Sequence, residues 1–135
     1  MTELKKILLK RILYVEDEPD IQAVAKIALE AVGGFELKVC SSGQEALEVA
    51  AAFGPDLLLL DVMMPGMDGP TSLRALRKIP ELTGTPAIFM TAKVQPDEII
   101  AIKTAGVLDV ITKPFDPMGL ADQIKAVWRA YSEQQ

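Results

Sequence analysis

Six residues in this chain carry reactive groups just where an apolar run gives out. Glu16, Asp17 and Glu18 follow "RILYV", Asp61 follows "DLLLL", Thr91 follows "PAIFM", and Lys113 follows "VLDVIT". If those runs are parallel strands, all six groups lie at one edge of a sheet. Two carboxylates about 4 Å apart at an effective dielectric of about 20 repel by about 4 kcal/mol, and one lysine does not offset several acids. A hard divalent cation does. An oxygen-only donor set with room for water suits Mg²⁺, whereas zinc prefers nitrogen and sulfur. Taken singly, each residue has a plainer reading: an acid at a strand end is more often a helix cap or a solvated turn, and a lone lysine more often a surface group. Four strand ends supplying acids, a hydroxyl and an ammonium together are much harder to explain as capping.

The elements that must position these groups follow from hydrophobic periodicity. "RILYV" (11–15) precedes a helical segment from Pro19 to about Val32, with Ile21, Val24, Ala25, Ala28 and Leu29 on one face. "FELKVC" (35–40) alternates like an edge strand. A capping box, Ser42 to Glu45, opens a helix that stops at Gly54. "DLLLL" (56–60) reads as a strand buried on both faces, and "GPTSLRALRKI" (69–79) as the third helix. "PAIFM" (86–90) is the fourth strand, residues 95–106 the fourth helix and "VLDVIT" (107–112) the fifth strand. The last helix runs from about Pro117 to Tyr131, with Leu120, Ile124, Val127 and Tyr131 along one side. Five βα units make an α/β fold: a five-stranded parallel sheet covered by helices on both faces, flavodoxin-like, with the order 2-1-3-4-5. Ligands of such sheets bind at the carboxyl ends of the strands, beside the switch point between strands 1 and 3.

Composition removes whole classes of function. The 135 residues contain no histidine, which excludes Ser-His and Cys-His catalysis, histidine-ligated zinc and a phosphohistidine-carrier role. The net charge is −5 and basic residues form no long run, so direct nucleic-acid binding is not expected. Apolar runs are far shorter than the roughly 20 residues of a membrane span. The N-terminal "ILL" is cut off by Lys10 and Arg11 before it resembles the apolar core of a signal peptide. A cytoplasmic protein without membrane partners is expected. The single cysteine, Cys40, forms no intrachain disulfide and reads as a small core or edge residue. The turn after the first strand, "VEDEPD", is acidic where a phosphate-cradling turn is rich in glycine and hydroxyls. A resident nucleotide is therefore disfavoured. A transferable phosphoryl group arriving at a metal, with a carboxylate as nucleophile, fits better.

The fragments "LYVEDEPD", "LLLLDVMMPGMDG", "FMTAK" and "ITKPFD" occur in an order and spacing that resembles the receiver domain of bacterial two-component response regulators. The resemblance covers residues 11–131, leaving 1–10 as an N-terminal extension and 132–135 as a short tail. It implies that Asp61 is the phosphoacceptor, and that Glu16, Asp17, Asp61 and the backbone carbonyl of Met63 hold Mg²⁺. Thr91 would hydrogen-bond one phosphoryl oxygen and Lys113 would pair with another. It implies a cis peptide bond at Lys113-Pro114 and a loop after Asp61 shaped by Gly66 and Gly69, with the methionines there serving as packing. Phosphorylation and dephosphorylation at Asp61 would be self-catalysed in a signalling protein rather than an enzyme. The donor would be a sensor histidine kinase or a histidine phosphotransfer protein. A downstream protein target would be met through the fourth helix, fifth strand and fifth helix, and the resemblance also allows a phosphorylation-dependent dimer.

One departure concerns the switch. Three residues before Lys113 the family often has Tyr or Phe, whereas this chain has Val110, which lacks a comparable swing. Movement of the loop after Thr91 and of the helix over 95–106 is the expected reporter instead. Met63 and Lys93, two residues after Asp61 and Thr91, would fence the attacking water and lengthen the phosphorylated lifetime. After Tyr131 only "SEQQ" follows, so a stand-alone receiver is expected, with a receiver cut from a larger regulator as the alternative. Two rival readings stay open. A phosphatase resembling the haloacid dehalogenases would need Asp-x-Asp, but the chain reads Asp61-Val62-Met63. A receiver reduced to a binding scaffold is argued against by the complete set of Glu16, Asp17, Asp61, Thr91 and Lys113.

Overall fold

Leu57 to Leu60 present apolar side chains to both sides of the chain, so their strand must be covered twice. In the computed structural model, whose described residues are 8–92 and 106–134, they form β3 (Leu57–Asp61), every residue of which is buried. The other strands are β1 (Arg11–Val15), β2 (Glu36–Cys40), β4 (Ala87–Thr91) and β5 (Val107–Thr112). All pair in parallel in the order β2-β1-β3-β4-β5, as expected from the sequence. β1, β3 and β4 occupy the centre and are almost wholly buried. β2 lies at an edge and keeps the alternating exposure read from its sequence.

Side chains alternate along each strand, which splits the core in two. Ile12, Tyr14, Leu57 and Leu59 face α1 (Pro19–Lys26) and the C-terminal helix (Leu120–Glu133). Leu13, Val15, Leu58 and Leu60 face α2 (Gly43–Phe53) and α3 (Gly69–Leu76). Burying a leucine on either side stabilises the fold by about 1.5–3 kcal/mol. Because β1 and β3 are neighbours whose helices leave on opposite faces, a cleft opens at their carboxyl ends.

Local chemistry sets the ends of the helices. Ser42 Oγ accepts from Glu45 N at 3.0 Å, and Glu45 Oε1 reaches back to Ser41 N at 2.7 Å, one residue earlier than a regular capping box. Gly54 ends α2 at φ 67°, a conformation open to glycine. Asp68 caps α3 by accepting from Thr71 N at 2.8 Å. α3 stops at Leu76, short of the expected Ile79, because Pro80 holds Ile79 in extended backbone and opens a 3₁₀ turn, Pro80–Leu82.

The first helix departs further from expectation. Beyond Lys26 it widens into a π-helical segment, Ile27–Val32, closed by Gly33 N donating to Ala28 O at 3.1 Å. The wider turn rotates Val32 out to 44 % exposure, and Phe35 fills the core below. Val24, expected on the buried face, lies at the margin of the Ala25–Ala28–Leu29 stripe and is 41 % exposed. The C-terminal helix starts at Leu120 rather than Pro117 and buries Trp128 as well as Leu120 and Ile124. Lys93 and residues 95–105 of the expected helix over 95–106 lie outside the described residues. Cys40 is buried in the core between β1 and α2, and burial pushes its thiol up to about 11. No helix among the described residues is long and apolar enough to cross a membrane.

Candidate functional site

The register of the sheet decides what meets at its carboxyl edge. Val15 lies opposite both Cys40 and Leu60, Asp61 opposite Met90, and Thr91 opposite Thr112. Four strand ends therefore bring their groups to the same edge: Glu16 after β1, Asp61 at the end of β3, Thr91 at the end of β4 and Lys113 after β5. Backbone bonds from Glu16 N to Cys40 O, Val62 N to Met90 O and Lys113 N to Thr91 O, at 2.9–3.0 Å, extend the ladder into the site. The Lys113-Pro114 peptide bond is cis, as the resemblance implied. Gly69 lets α3 start against the Asp61 loop, since a Cβ there would lie 2.7 Å from Asp61 O and 2.9 Å from Val62 Cα.

Lys113 joins the two buried acids. Its Nζ stands 3.1 Å from Glu16 Oε1 and 3.2 Å from Asp61 Oδ1. Glu16 is fully buried, Asp61 is 1 % exposed and Thr91 is 4 % exposed. Apart from the Lys113 charge, neither oxygen of Asp61 has a hydrogen-bond partner, and Asp17 Oδ1 is likewise buried without one. A carboxylate acting as a helix cap would accept backbone N–H bonds, as Asp68 does. Asp61 does not, so capping fails to explain it. Carboxylate oxygens of Glu16, Asp17 and Glu18 come within 4.8 Å of one another. Buried orphan oxygens beside a cluster of hard oxygen donors fit a small divalent cation. Glu18, which was not among the expected ligands, thus joins Glu16 and Asp17, while Asp61 is tied to the group through Lys113. Met63, next in the loop but one, turns its side chain outward at 73 % exposure.

Comparison with known proteins places this arrangement. Residues 12–125 match the family model described as response regulator receiver domain. The chain belongs to that family. It is 34 % identical over 125 residues to the DNA-binding response regulator MtrA of Mycolicibacterium smegmatis, covering 93 % of this chain and 53 % of that protein. It is 39 % identical over 120 residues to the phosphate regulon transcriptional regulatory protein PhoB of Pseudomonas aeruginosa, covering 89 % and 52 %. The receiver thus spans about half the length of these relatives. Among solved structures, the chemotaxis protein CheY4 of Vibrio cholerae superposes with a TM-score of 0.81 at 28 % identity, over 89 % of this chain and 99 % of that one. The signal receiver domain of a histidine kinase from Syntrophus aciditrophicus gives 0.74 at 33 % identity, over 90 % and 91 %.

The electrostatics of this receiver follow from burial and from one shared cation. Burial lifts the Glu16 carboxyl above its usual value; the Lys113 hydrogen bond opposes this and the Asp61 charge adds to it. Burial alone would lower Lys113, but its hydrogen bond to Glu16 and the charge of Asp61 raise it on balance. The ammonium is therefore firmly protonated at neutral pH.

Two participants went unnoticed in the sequence. Tyr14, fully buried, directs its hydroxyl at Glu16 Oε1 at 3.4 Å. Burial, then the Glu16 and Asp61 charges, push its phenol far above the ordinary range, so it remains a donor. The signal was available: Tyr14 and Glu16 are two residues apart on a strand and share a face. Gln22 donates to Glu16 O and, at 3.2 Å, to Ser41 Oγ, strapping the acidic loop to the start of α2. No periodicity argument would have found that bond.

Proposed function

We propose that this receiver, residues 11–131, accepts a phosphoryl group on Asp61 in a two-component phosphorelay. The observation that carries the reading is that Asp61 is buried with neither oxygen hydrogen-bonded, while the Lys113 ammonium stands 3.2 Å from one of them. A nucleophile needs an uncommitted lone pair and a cation beside it, and Asp61 has both.

In the transfer, one Asp61 oxygen forms a bond to phosphorus as the bond to the leaving group breaks and its electron pair departs with that group. From a histidine kinase or histidine phosphotransfer protein the leaving group is an imidazole nitrogen; from acetyl phosphate it is acetate. Lys113 turns from Glu16 toward a phosphoryl oxygen, and the Thr91 hydroxyl donates to another. Such transfers depend on alignment and on neutralising the equatorial oxygens more than on a base. Glu16, Asp17, Asp61 and the Met63 carbonyl would hold Mg²⁺, with Glu18 at the rim. When bound, that ion supplies charge neutralisation and fixes the approach of the phosphoryl oxygens. Later attack by water on phosphorus restores Asp61 and releases inorganic phosphate.

The signal then passes to a downstream protein through a face that includes β5 and the C-terminal helix, with phosphorylation-dependent dimerisation as one route. A cytoplasmic setting accords with partners that carry phosphohistidine, and the net charge of −5 opposes direct nucleic-acid contact by this domain. The test is incubation with Mg²⁺ and acetyl phosphate followed by intact-mass measurement. One added phosphoryl group in the parent and none in Asp61→Asn is the expected result. No stoichiometric gain, or steady turnover of a phosphomonoester, would overturn it.

A further inference from the structure

Glu16 is completely buried, and its two oxygens divide three donors between them. Oε2 accepts from Glu18 N at 3.2 Å. Oε1 accepts from Lys113 Nζ at 3.1 Å and faces the Tyr14 hydroxyl at 3.4 Å. That last separation exceeds the usual 2.5–3.0 Å of an O–H···O bond, as befits an oxygen already taken by an ammonium. The phenol cannot move far to improve it, because its ring is packed within the sheet among Ile12, Leu57 and other core residues.

We propose that the Tyr14 hydroxyl is a positioning group that takes over Glu16 Oε1 when Lys113 turns to the incoming phosphoryl group. The inference rests on the phosphoacceptor reading of Asp61. Lys113 is shared between Glu16 and Asp61, and a phosphoryl group on Asp61 brings oxygens of higher charge to its side. As the ammonium turns, Glu16 Oε1 would be left in the core without its closest donor. A buried carboxylate deprived of a partner is strongly disfavoured, and that penalty would hold Lys113 back. The hydroxyl that already faces this oxygen offsets the loss: the Glu16 carboxylate moves toward it as the ammonium withdraws. Glu16 then stays aimed at Asp17 and Glu18, where a cation would sit. A tyrosine two residues earlier in the chain, its hydroxyl already facing Glu16 Oε1, is placed for that.

Tyr14→Phe keeps the ring and deletes the donor. With acetyl phosphate and fixed saturating Mg²⁺, the parent should gain one phosphoryl group and Tyr14→Phe should gain it about tenfold more slowly, the order expected for a bond to a charged group. In a Glu16→Gln background the same substitution should change the rate less than about twofold, because the charge it serves is gone. A structural role would slow both backgrounds alike. In the parent labelled at tyrosine ¹³Cζ, the Tyr14 resonance should shift on phosphorylation. This second readout needs no variant to fold. If the parent takes up no phosphoryl group, the reading of Asp61 falls and this inference with it. If the parent is phosphorylated but Tyr14→Phe reacts within twofold of it, or slows equally beside Glu16→Gln, or the ¹³Cζ resonance does not move, the tyrosine inference alone is overturned.

Discussion

Replacing Asp61 by asparagine should make the metal-free protein more stable, against the usual rule that breaking a buried ion pair is costly. The reason is the count of charges. Two buried carboxylates, Glu16 and Asp61, share one ammonium at 3.1 and 3.2 Å, so the group carries an uncompensated negative charge. Asp61→Asn forfeits attraction to Lys113, about 5 kcal/mol at an effective dielectric of about 20. It also ends the repulsion from Glu16, whose nearer oxygen lies no more than about 6 Å away on the other side of the same ammonium, which is at least about 3 kcal/mol. It removes as well the desolvation of a carboxylate with no other hydrogen bond, several kcal/mol even after relaxation. Lys113 keeps Glu16, so no charge is stranded. The balance favours the variant by about 2 kcal/mol, which for a domain of this size raises Tm by roughly 6–10 °C. Thermal melts in a chelator, followed by circular dichroism at pH 7, measure it directly. Added Mg²⁺ should then raise the parent more than the variant and narrow the gap. A variant that melts at or below the parent in the chelator would refute the reasoning, because the charges at this edge would then be balanced without a cation.

Three further expectations follow from the same geometry. The folded Glu16 carboxyl sits above its ordinary value of 4.5, so the folded state binds the extra proton and metal-free stability falls as pH rises from about 4.5 through the raised value. Denaturant midpoints of Glu16→Gln minus those of the parent should therefore grow across that window, and a flat difference would count against the shift. Gly69→Ala places a Cβ 2.7 Å from Asp61 O and 2.9 Å from Val62 Cα, backbone that cannot give; a loss of about 1–3 kcal/mol and slower phosphorylation are expected by melting and intact mass. Met63→Asn exchanges an exposed thioether two residues after Asp61 for a group able to hold water, and on the proposed function should shorten the phosphorylated lifetime several-fold in a decay measured after the donor is removed.

The fold was legible because its determinants are local and redundant. The run Leu57–Leu60 demanded burial on both sides, the Ser42 and Gly54 signals bracketed α2, and five βα units left little choice of strand order. What stayed hidden depends on distance through space or on small departures from a regular period. The π-helical turn at Ile27–Val32 breaks the regular 3.6-residue period, which no regular helical wheel anticipates. Trp128 lay one residue beyond Val127 in the expected stripe, yet it is the more buried of the two. Within the site, the strand ends pointed to Glu16, Asp61, Thr91 and Lys113, but the partition of Lys113 between two acids requires coordinates. Pairing across 97 positions of sequence, as between Lys113 and Glu16, leaves no local trace.

Two acids bound the same strand, and the difference between them carries the functional argument. Asp56 precedes β3 and Asp61 ends it, and to a propensity scale they are alike. Asp56 Oδ2 accepts from Lys10 N at 3.0 Å and Arg11 N at 2.8 Å, partly exposed to water: it does the ordinary work of satisfying backbone at the amino edge of the sheet. Asp61 is buried at the opposite edge with neither oxygen hydrogen-bonded. Folded proteins satisfy nearly all their buried polar atoms, and this domain does so at its caps, its turns and its amino edge. An exception confined, among the described acids, to Asp17 and Asp61, at the edge where four strands bring reactive groups together, is therefore a property of the site and not of loose packing. The fold tolerates the deficit because the surrounding strands hold it rigidly, and the same rigidity keeps those oxygens aimed at the place that the proposed cation and phosphoryl group would take.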